Sequence, residues 1–268
     1  MLRDSARRYL HGRYPGTGPW GPSAWQDIAK LGWTGISLPE GLGGAGFGFL
    51  EEAVLFEEFG RALFPGPYFA TIGLALPALS PDRQRLVATG QRTYSLALNG
   101  DPAPDLALVD EVVVVDDPAL EGRVRPRALA ALALEATGIA QRALELGVEH
   151  AKAREQFGKP IGTYQAVSHK LADSYVETEL ARSLAYWAAW SVANEDGQAP
   201  VAAAAAKSYA GDAAVNACER SIQVHGGLGF TWEHVLHRYY KRALWIQAFW
   251  GYARAHRAKV ASSLLDGG

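Results

Sequence analysis

Three side chains of different chemistry stand close together in AKAREQFGKPIGTYQ, residues 151–165: the fixed guanidinium of Arg154, the flat ring of Phe157 and the amide of Gln165. Glycine readily takes the left-handed turn that ends a helix, and proline cannot continue one, so Gly158 and Pro160 stop the helix running into this stretch. Arg154 and Phe157 are therefore expected at a helix end, with Gln165 at the start of the next. A planar cation that makes paired hydrogen bonds, set beside an aromatic ring, suits a large ligand with both phosphate and aromatic parts. The same residues admit a plainer role, an arginine complementing a helix dipole and a phenylalanine closing a core. A second set lies in SIQVHGGLGF, residues 221–230. There Gln223 occupies the last turn of a helix, and Gly226 and Gly227 let the backbone turn sharply and expose its amides to a ligand. A simple glycine stop would read the same way. Glu135 is a solitary carboxylate in LALEATGIA. If buried, it must be paired or protonated, and Arg142 or a subunit cleft would meet that need.

The elements that must hold these residues are helical. Apolar residues at Leu132, Ala136, Ile139, Ala143 and Leu146, closed by His150, follow a period near 3.6 and predict a helix over 127–155. Further helices are expected over 163–194, over 200–224 with Pro200 in its first turn, and over 232–246 and 251–265. Long helices joined by short loops make a bundle. Upstream, Ser23 should cap a short helix ending at Leu31, and 49–63 should form another. Prolines at 65, 67, 77 and 81 punctuate more helix up to Ala88. Between them, GLGGAGFG at 41–48 matches the spacing of a dinucleotide-binding glycine loop, but Pro39 precedes it and the strand–helix–strand context is missing, so a tight interhelical loop is expected. Only 91–122 changes texture: TYSLALNG and LALVDEVVVVDD predict a few strands, enough for a hairpin or a small meander. The expected architecture is mainly α, with an N-terminal helical domain over 1–90, a strongly reduced β segment over 91–122 and a C-terminal four-helix bundle over 123–268. The alanines at 202–206, with Ala210, Ala213 and Ala214, offer a small-residue face suited to close packing with another chain.

Composition narrows the function. Of 268 residues, 49% are hydrophobic and 20% charged, as in an ordinary globular chain with a sizeable core. A net charge of −2 and dispersed basic residues give no basis for nucleic acid or an anionic membrane as partner. The single cysteine, Cys218, excludes a disulfide framework and any multi-cysteine metal site, and no metal is expected. A cytoplasmic location is the expectation, since MLRDSARRYL lacks the apolar core of a signal peptide and no apolar run approaches the roughly 20 residues of a membrane span.

Taken together, REQFGKPIGTYQ, QVHGGLGF and HRYYKRALWIQAFWG, preceded by LGWTGISLPEGLGGAGFG and FEEFGRALFPGPY, resemble the acyl-CoA dehydrogenase family over 24–70 and 127–251. The resemblance implies an acyl-CoA dehydrogenase-like fold and FAD bound at a subunit interface. It also implies α,β-desaturation of an acyl-CoA thioester, in which a carboxylate takes the α-proton and flavin takes the hydride. Arg154 and Phe157 match the family's flavin-contacting arginine and phenylalanine, and Gln165 matches a further contact. Gln223, Gly226 and Gly227 match positions along the ADP part of the flavin. In the family these residues reach FAD held by the neighbouring subunit.

Two departures accompany the match. The middle domain's T-E-P-x-x-G-S-D-like loop and W-x-T-like strand have no counterpart between Gln91 and Gly122. Where the family reads Y-E-G-T-S, this chain reads Phe249-Trp250-Gly251-Tyr252-Ala253, so Trp250 replaces the catalytic glutamate, and indole accepts no proton. The alternative base position of some members falls near Ala128, leaving Glu135 as the nearest carboxylate. The resemblance thus implies a subunit of a heterotetrameric enzyme of lipid metabolism that donates the trans half of the flavin site to a catalytic acyl-CoA dehydrogenase partner. That partner would bind the acyl-CoA, with an electron-transfer acceptor downstream. A self-sufficient homo-oligomer with another base, or a flavin-free scaffold, would be the alternatives.

Overall fold

The computed structural model describes residues 1–14 and 21–266. Helices α1 (Leu2–Arg13), α2 (Pro22–Lys30) and α3 (Phe49–Ala62) are followed by a π-helical stretch, Phe69–Ala75, and by α4 (Pro81–Ala88). Ser23 does not cap α2. Gly21 holds the extended N-cap, and Pro22 fills the first turn, where a missing N–H removes no helix bond. The glycine run at 41–48 is a loop leading into α3, with no strand before it.

The expected hairpin or meander is neither. β1 (Tyr94–Leu98) and β2 (Glu111–Val115) pair in parallel, Tyr94 opposite Glu111 and Leu98 opposite Val115. Polar clamps at both ends impose this direction. At the start, the Thr93 amide and hydroxyl donate to the Asp110 carboxylate at 2.8 and 2.9 Å. At the far end the Asn99 amide donates to the Val115 carbonyl, while the Asn99 side-chain oxygen accepts from the Asp117 amide at 2.7 Å. The chain over 99–110 must therefore travel back along the pair. Tyr94, Leu96 and Leu98 are buried in the same core as α3 and the bundle.

The bundle is α5 (Pro118–Ala153), α6 (Gln165–Ala193), α7 (Ala199–His225) and α8 (Leu236–Ala248), with α9 (Ala253–Asp266) against α7. α5 begins nine residues before the expected Arg127, because Asp117 caps the amides of Ala119 and Leu120 and Pro118 opens the first turn. Pro126 then sits inside the helix, directly after the turn spanned by the Arg125–Glu121 ion pair. Successive helices alternate in direction: Arg182 bonds Gln141, Arg220 pairs with Glu177, and Gln247 bonds Asp212.

Most of the small-residue face of α7 is buried within this chain, Ala205 being half-buried. Ala202, Ala203, Ala204, Ala206, Ala210, Ala213 and Ala214 are all buried within this chain, where small side chains let α7 pack against α5, α6, α8 and α9 at once. The crossing of α3 and α5 is closer still. Gly60 lies on the Glu135 carbonyl and Gly138 on the Glu57 carbonyl, so that a Cβ at either would overlap backbone. Around this crossing the buried carboxylates of Glu57 and Glu58 bind Arg3, Arg7 and Arg182, tying α1, α3 and α6 together. Among the described residues no helix is long and apolar enough to cross a membrane, and no group of three metal-ligating side chains is gathered.

Candidate functional site

Two regions matter: one end of the bundle, and the loop after α8. At the bundle end, α5 and α7 finish side by side. His150 stacks on His225 with ring centroids 4.2 Å apart, and Ala151, Leu171 and Val224 form a small apolar cluster beneath them. This juxtaposition gathers Arg154, Phe157, Gln165, Gln223, Gly226 and Gly227 at the same end, all of them exposed.

Beyond α5 the chain makes a minimal hairpin, β3 (Glu155–Gln156) against β4 (Lys159–Pro160). Its turn residues Phe157 and Gly158 have φ of 54° and 79°. Glycine accepts this left-handed turn freely, but a phenylalanine pays roughly 1–2 kcal/mol for it. The ring gains no burial in return, being 93% exposed. Phe157 therefore does not close a core. An exposed aromatic ring held in a strained turn is a candidate contact for a ligand or another chain. Arg154 caps α5 through its backbone, and its guanidinium has no ion-pair or hydrogen-bond partner among the described residues. Gly226 turns the chain out of α7 at φ 63°, and at Gly227 a Cβ would meet open space. Nothing within this chain requires glycine at 227. Phe230 and Trp232, 78% and 80% exposed, follow directly and widen the apolar rim. Their sequence signal was only their position after the glycine pair, which carried no periodicity.

The loop after α8 is built differently. Trp245 stacks on Phe249 at 4.8 Å and Phe249 on Trp250 at 5.1 Å. Arg242 lies 4.2 Å over the first ring and Arg125 4.4 Å over the last, while Phe69 meets Trp245 and Phe249 edge-on. Trp250 has φ 56°. The loop thus carries a cation-capped aromatic stack, and Ala128 on α5 is fully buried. Glu135 is not paired with Arg142, which is engaged by Glu145 and Glu149. It holds Arg242 across the interhelical gap in two bonds of 2.6 and 3.1 Å. Arg142 turns instead toward the following residues of its own helix, Glu145 and Glu149, and Arg242 reaches Glu135 from α8. Both oxygens of the Glu135 carboxylate are thus engaged by Arg242.

The loop is pinned from below. The Lys207 ammonium, buried in α7, donates to the carbonyls of Gln247, at 2.9 Å, and Gly251. Burial lowers its pKa to about 8. His256 donates to the Gly251 carbonyl at 3.1 Å, and burial first, then Lys207 and other cations, push it down to about 4. In the unfolded chain histidine titrates near 6.5, so between about pH 6.5 and 4 the unfolded state binds the extra proton. His256 therefore contributes stability in full above that window, and the contribution, about 3 kcal/mol, is lost as pH falls through it. His256→Gln keeps a donor without titrating. Its denaturation free energy should fall less steeply than the parent's between pH 6.5 and 4, and parallel acid limbs would remove His256 from the account.

Comparison with known proteins agrees with this layout. Residues 1–80 match the acyl-CoA dehydrogenase N-terminal domain family, and residues 128–265 match the C-terminal domain family. The acyl-CoA dehydrogenase IpdE2 of Mycobacterium tuberculosis is 33% identical over 260 residues, covering 82% of this chain and 80% of that protein. Among solved structures, the Tcur3481-Tcur3483 steroid ACAD G363A variant superposes with a TM-score of 0.89 at 26% identity, covering 99% of this chain and 97% of that one. A chain of the ChsE4-ChsE5 complex from Mycobacterium tuberculosis superposes with a TM-score of 0.84 at 23% identity over 99% of this chain and 94% of that one, a likeness of fold.

Proposed function

Because this chain belongs to the acyl-CoA dehydrogenase family of oxidoreductases, we propose that it is the non-basic subunit of a heteromeric member, donating the trans half of a flavin site to an unlike partner that carries the glutamate base. The observation that carries this reading is the sorting of what is kept and what is replaced. At the bundle end, an unpartnered Arg154, a strained and exposed Phe157 and an open Gly226–Gly227 turn are retained. At the loop after α8, where this reading would look for the base, an aromatic stack of Trp245, Phe249 and Trp250 is found. Random decay would not divide its losses between what acts on a neighbour's cofactor and what acts on the chain's own.

The residues at the bundle end fit part of an FAD molecule. Arg154 would hold the pyrophosphate by charge-assisted hydrogen bonds, and Phe157 would lie against an aromatic ring of the cofactor. Gln165 and Gln223 would bond polar edges, and the amides after Gly226 would approach the ADP part without a Cβ in the way. FAD, when bound, supplies the hydride acceptor. The remaining walls of the site would come from the partner, since 91–122 offers only the two paired strands. The division into 1–90, 91–122 and 123–268 is the domain organisation this reading implies. The likeness to a steroid ACAD supports a steroid side-chain thioester as substrate, its electrons leaving through a separate electron-transfer acceptor.

The test is flavin stoichiometry. The chain purified alone should show no flavin absorbance near 450 nm. Co-purified with its unlike partner, it should show about one flavin and one acyl-CoA site for each pair of unlike chains. Trp250→Glu in this subunit should create no further activity, because the walls that align flavin and substrate would still be missing. One flavin per chain, or desaturation by this chain alone, would mean a self-sufficient enzyme. A colourless, inactive complex would leave a scaffold.

A further inference from the structure

Four histidines gather at the bundle end. His150 comes from the last turn of α5 and His225 from the last turn of α7, and their rings stack with centroids 4.2 Å apart. His234, from the segment joining α7 to α8, extends the row, its ring centroid 4.4 Å from that of His225. His237, in the first turn of α8, packs against Trp232 at 4.8 Å. The segment 226–235, which carries Gly226, Gly227, Phe230 and Trp232, is thus tied across the ends of α5 and α7 by a row of rings.

Hydrogen bonds fix the protons of this row. His225 Nδ1 donates to the Ser221 carbonyl at 2.8 Å and His237 Nδ1 to the His234 carbonyl at 2.7 Å, since a carbonyl only accepts. His234 is the reverse. Its Nδ1 accepts from the Leu236 amide at 3.3 Å, one of the N–H groups that the start of α8 leaves without a helical partner, so this nitrogen must be bare. The neutral ring serves there as an asparagine does at a helix start. A proton on that nitrogen turns the acceptor into a donor facing a donor, and sets positive charge where the helix dipole opposes it.

No acid stands ready to hold such a charge. Among the described residues no carboxylate pairs with any of the four rings: on α5 Glu149 is committed to Arg142, and on α7 Glu219 accepts from Tyr240. From α6, Leu171 packs with Ala151 and Val224, the sequence neighbours of His150 and His225, and Glu177 is held by Arg220. Glu233, before His234, is exposed. On α8, Lys241 lies over the Trp232 ring and Arg238 lines a cavity with Leu63 and Trp245. Burial first, then the neighbouring rings, with Arg154 acting on His150, hold His150 and His234 below the ordinary histidine range. Groups held low in this way contribute stability above the unfolded value of about 6.5, and the contribution is lost as pH falls below it.

We propose that His150, His225 and His234 form a proton-operated latch, closed while the rings are neutral and opened when protonation charges the row, so that acid frees the 226–235 segment before the bundle unfolds. The latch belongs to this chain alone. Its consequence, withdrawal of the Gly226–Gly227 turn from bound FAD, rests on the flavin reading.

Hydrogen exchange of the full chain, read as protection factors at about pH 7.5 and about pH 5.5, on either side of the unfolded histidine value, tests it. Amides over 228–236, Leu236 among them, should lose protection at least about tenfold at the lower pH while those of α3 and α5 keep theirs. His234→Asn keeps an acceptor for the Leu236 amide and does not titrate, so the segment should stay protected at both pH values. His150→Gln, at the other end of the row, removes one of the charges and should also flatten the response, which keeps the test decisive if His234→Asn fails to fold. Equal protection at the two pH values would overturn the proposal. So would a loss spread evenly through the bundle, or one that both substitutions leave unchanged. In the assembled complex, flavin release should follow the same pH profile. A segment that opens while flavin stays bound would remove the turn from the flavin site and leave the latch standing, so the two failures are distinguishable.

Discussion

Arg154→Ala in the assembled protein is expected to lower FAD affinity about ten- to a hundredfold. A charge-assisted hydrogen bond to a phosphate contributes about 1.5–3 kcal/mol, and the Arg154 guanidinium has no partner among the described residues to which that energy is already committed. For the same reason the variant should cost the fold almost nothing: the side chain is exposed, and its backbone role as the end of α5 survives the change. The two effects can therefore be separated, flavin loss by equilibrium dialysis and stability by denaturation. Arg154→Lys should recover only part of the affinity, because an ammonium does not reproduce the planar fork. Unchanged flavin content in Arg154→Ala would remove this residue from the site. A parallel loss of stability would turn it into a structural one.

The second large effect concerns the scaffold. Gly138→Ala should destabilise the chain by about 3 kcal/mol or more, at the upper end of what overpacking costs, because the new methyl meets backbone and cannot be relieved by a side-chain rotation. The Glu57 carbonyl and the Arg61 amide of α3 occupy the space where that methyl would go, and Gly60 stands in the same relation to Glu135. Separating α3 from α5 would also disturb the Glu57 carboxylate, which Arg3 and Arg182 neutralise in a buried setting. Removing one partner of such a group typically costs about 3–5 kcal/mol. Urea denaturation gives the number, and a loss below about 1 kcal/mol would show that the crossing relaxes more freely than the packing implies.

Much of this was legible along the chain. The long helices follow from apolar periodicity, and their ends from residues with one structural meaning: Gly158 and Pro160 after α5, Pro200 at the start of α7, Gly226 after it. The sequence also places Trp250 and Tyr252 in the segment after α8 and only short strand-like runs between Gln91 and Gly122. These features are local, and local signals survive in a linear string.

What the chain alone left open was decided by tertiary contacts between segments distant in sequence. The direction of β2 relative to β1 depends on clamps at Thr93–Asp110 and Asn99–Asp117, and no propensity of either strand contains it. Glu135 found Arg242, 107 residues away, in place of Arg142 on its own helix. The alanines of α7 looked like a face for another chain because small size says how closely something can approach, not which chain it comes from. Packing turned them inward. Phe157 could have been a core residue until its left-handed turn set it in solvent. Residue types and spacing determined which chemistry was available to this protein. Which groups were neutralised within the chain and which were left exposed was decided by the fold, because pairing and burial are properties of neighbours in space.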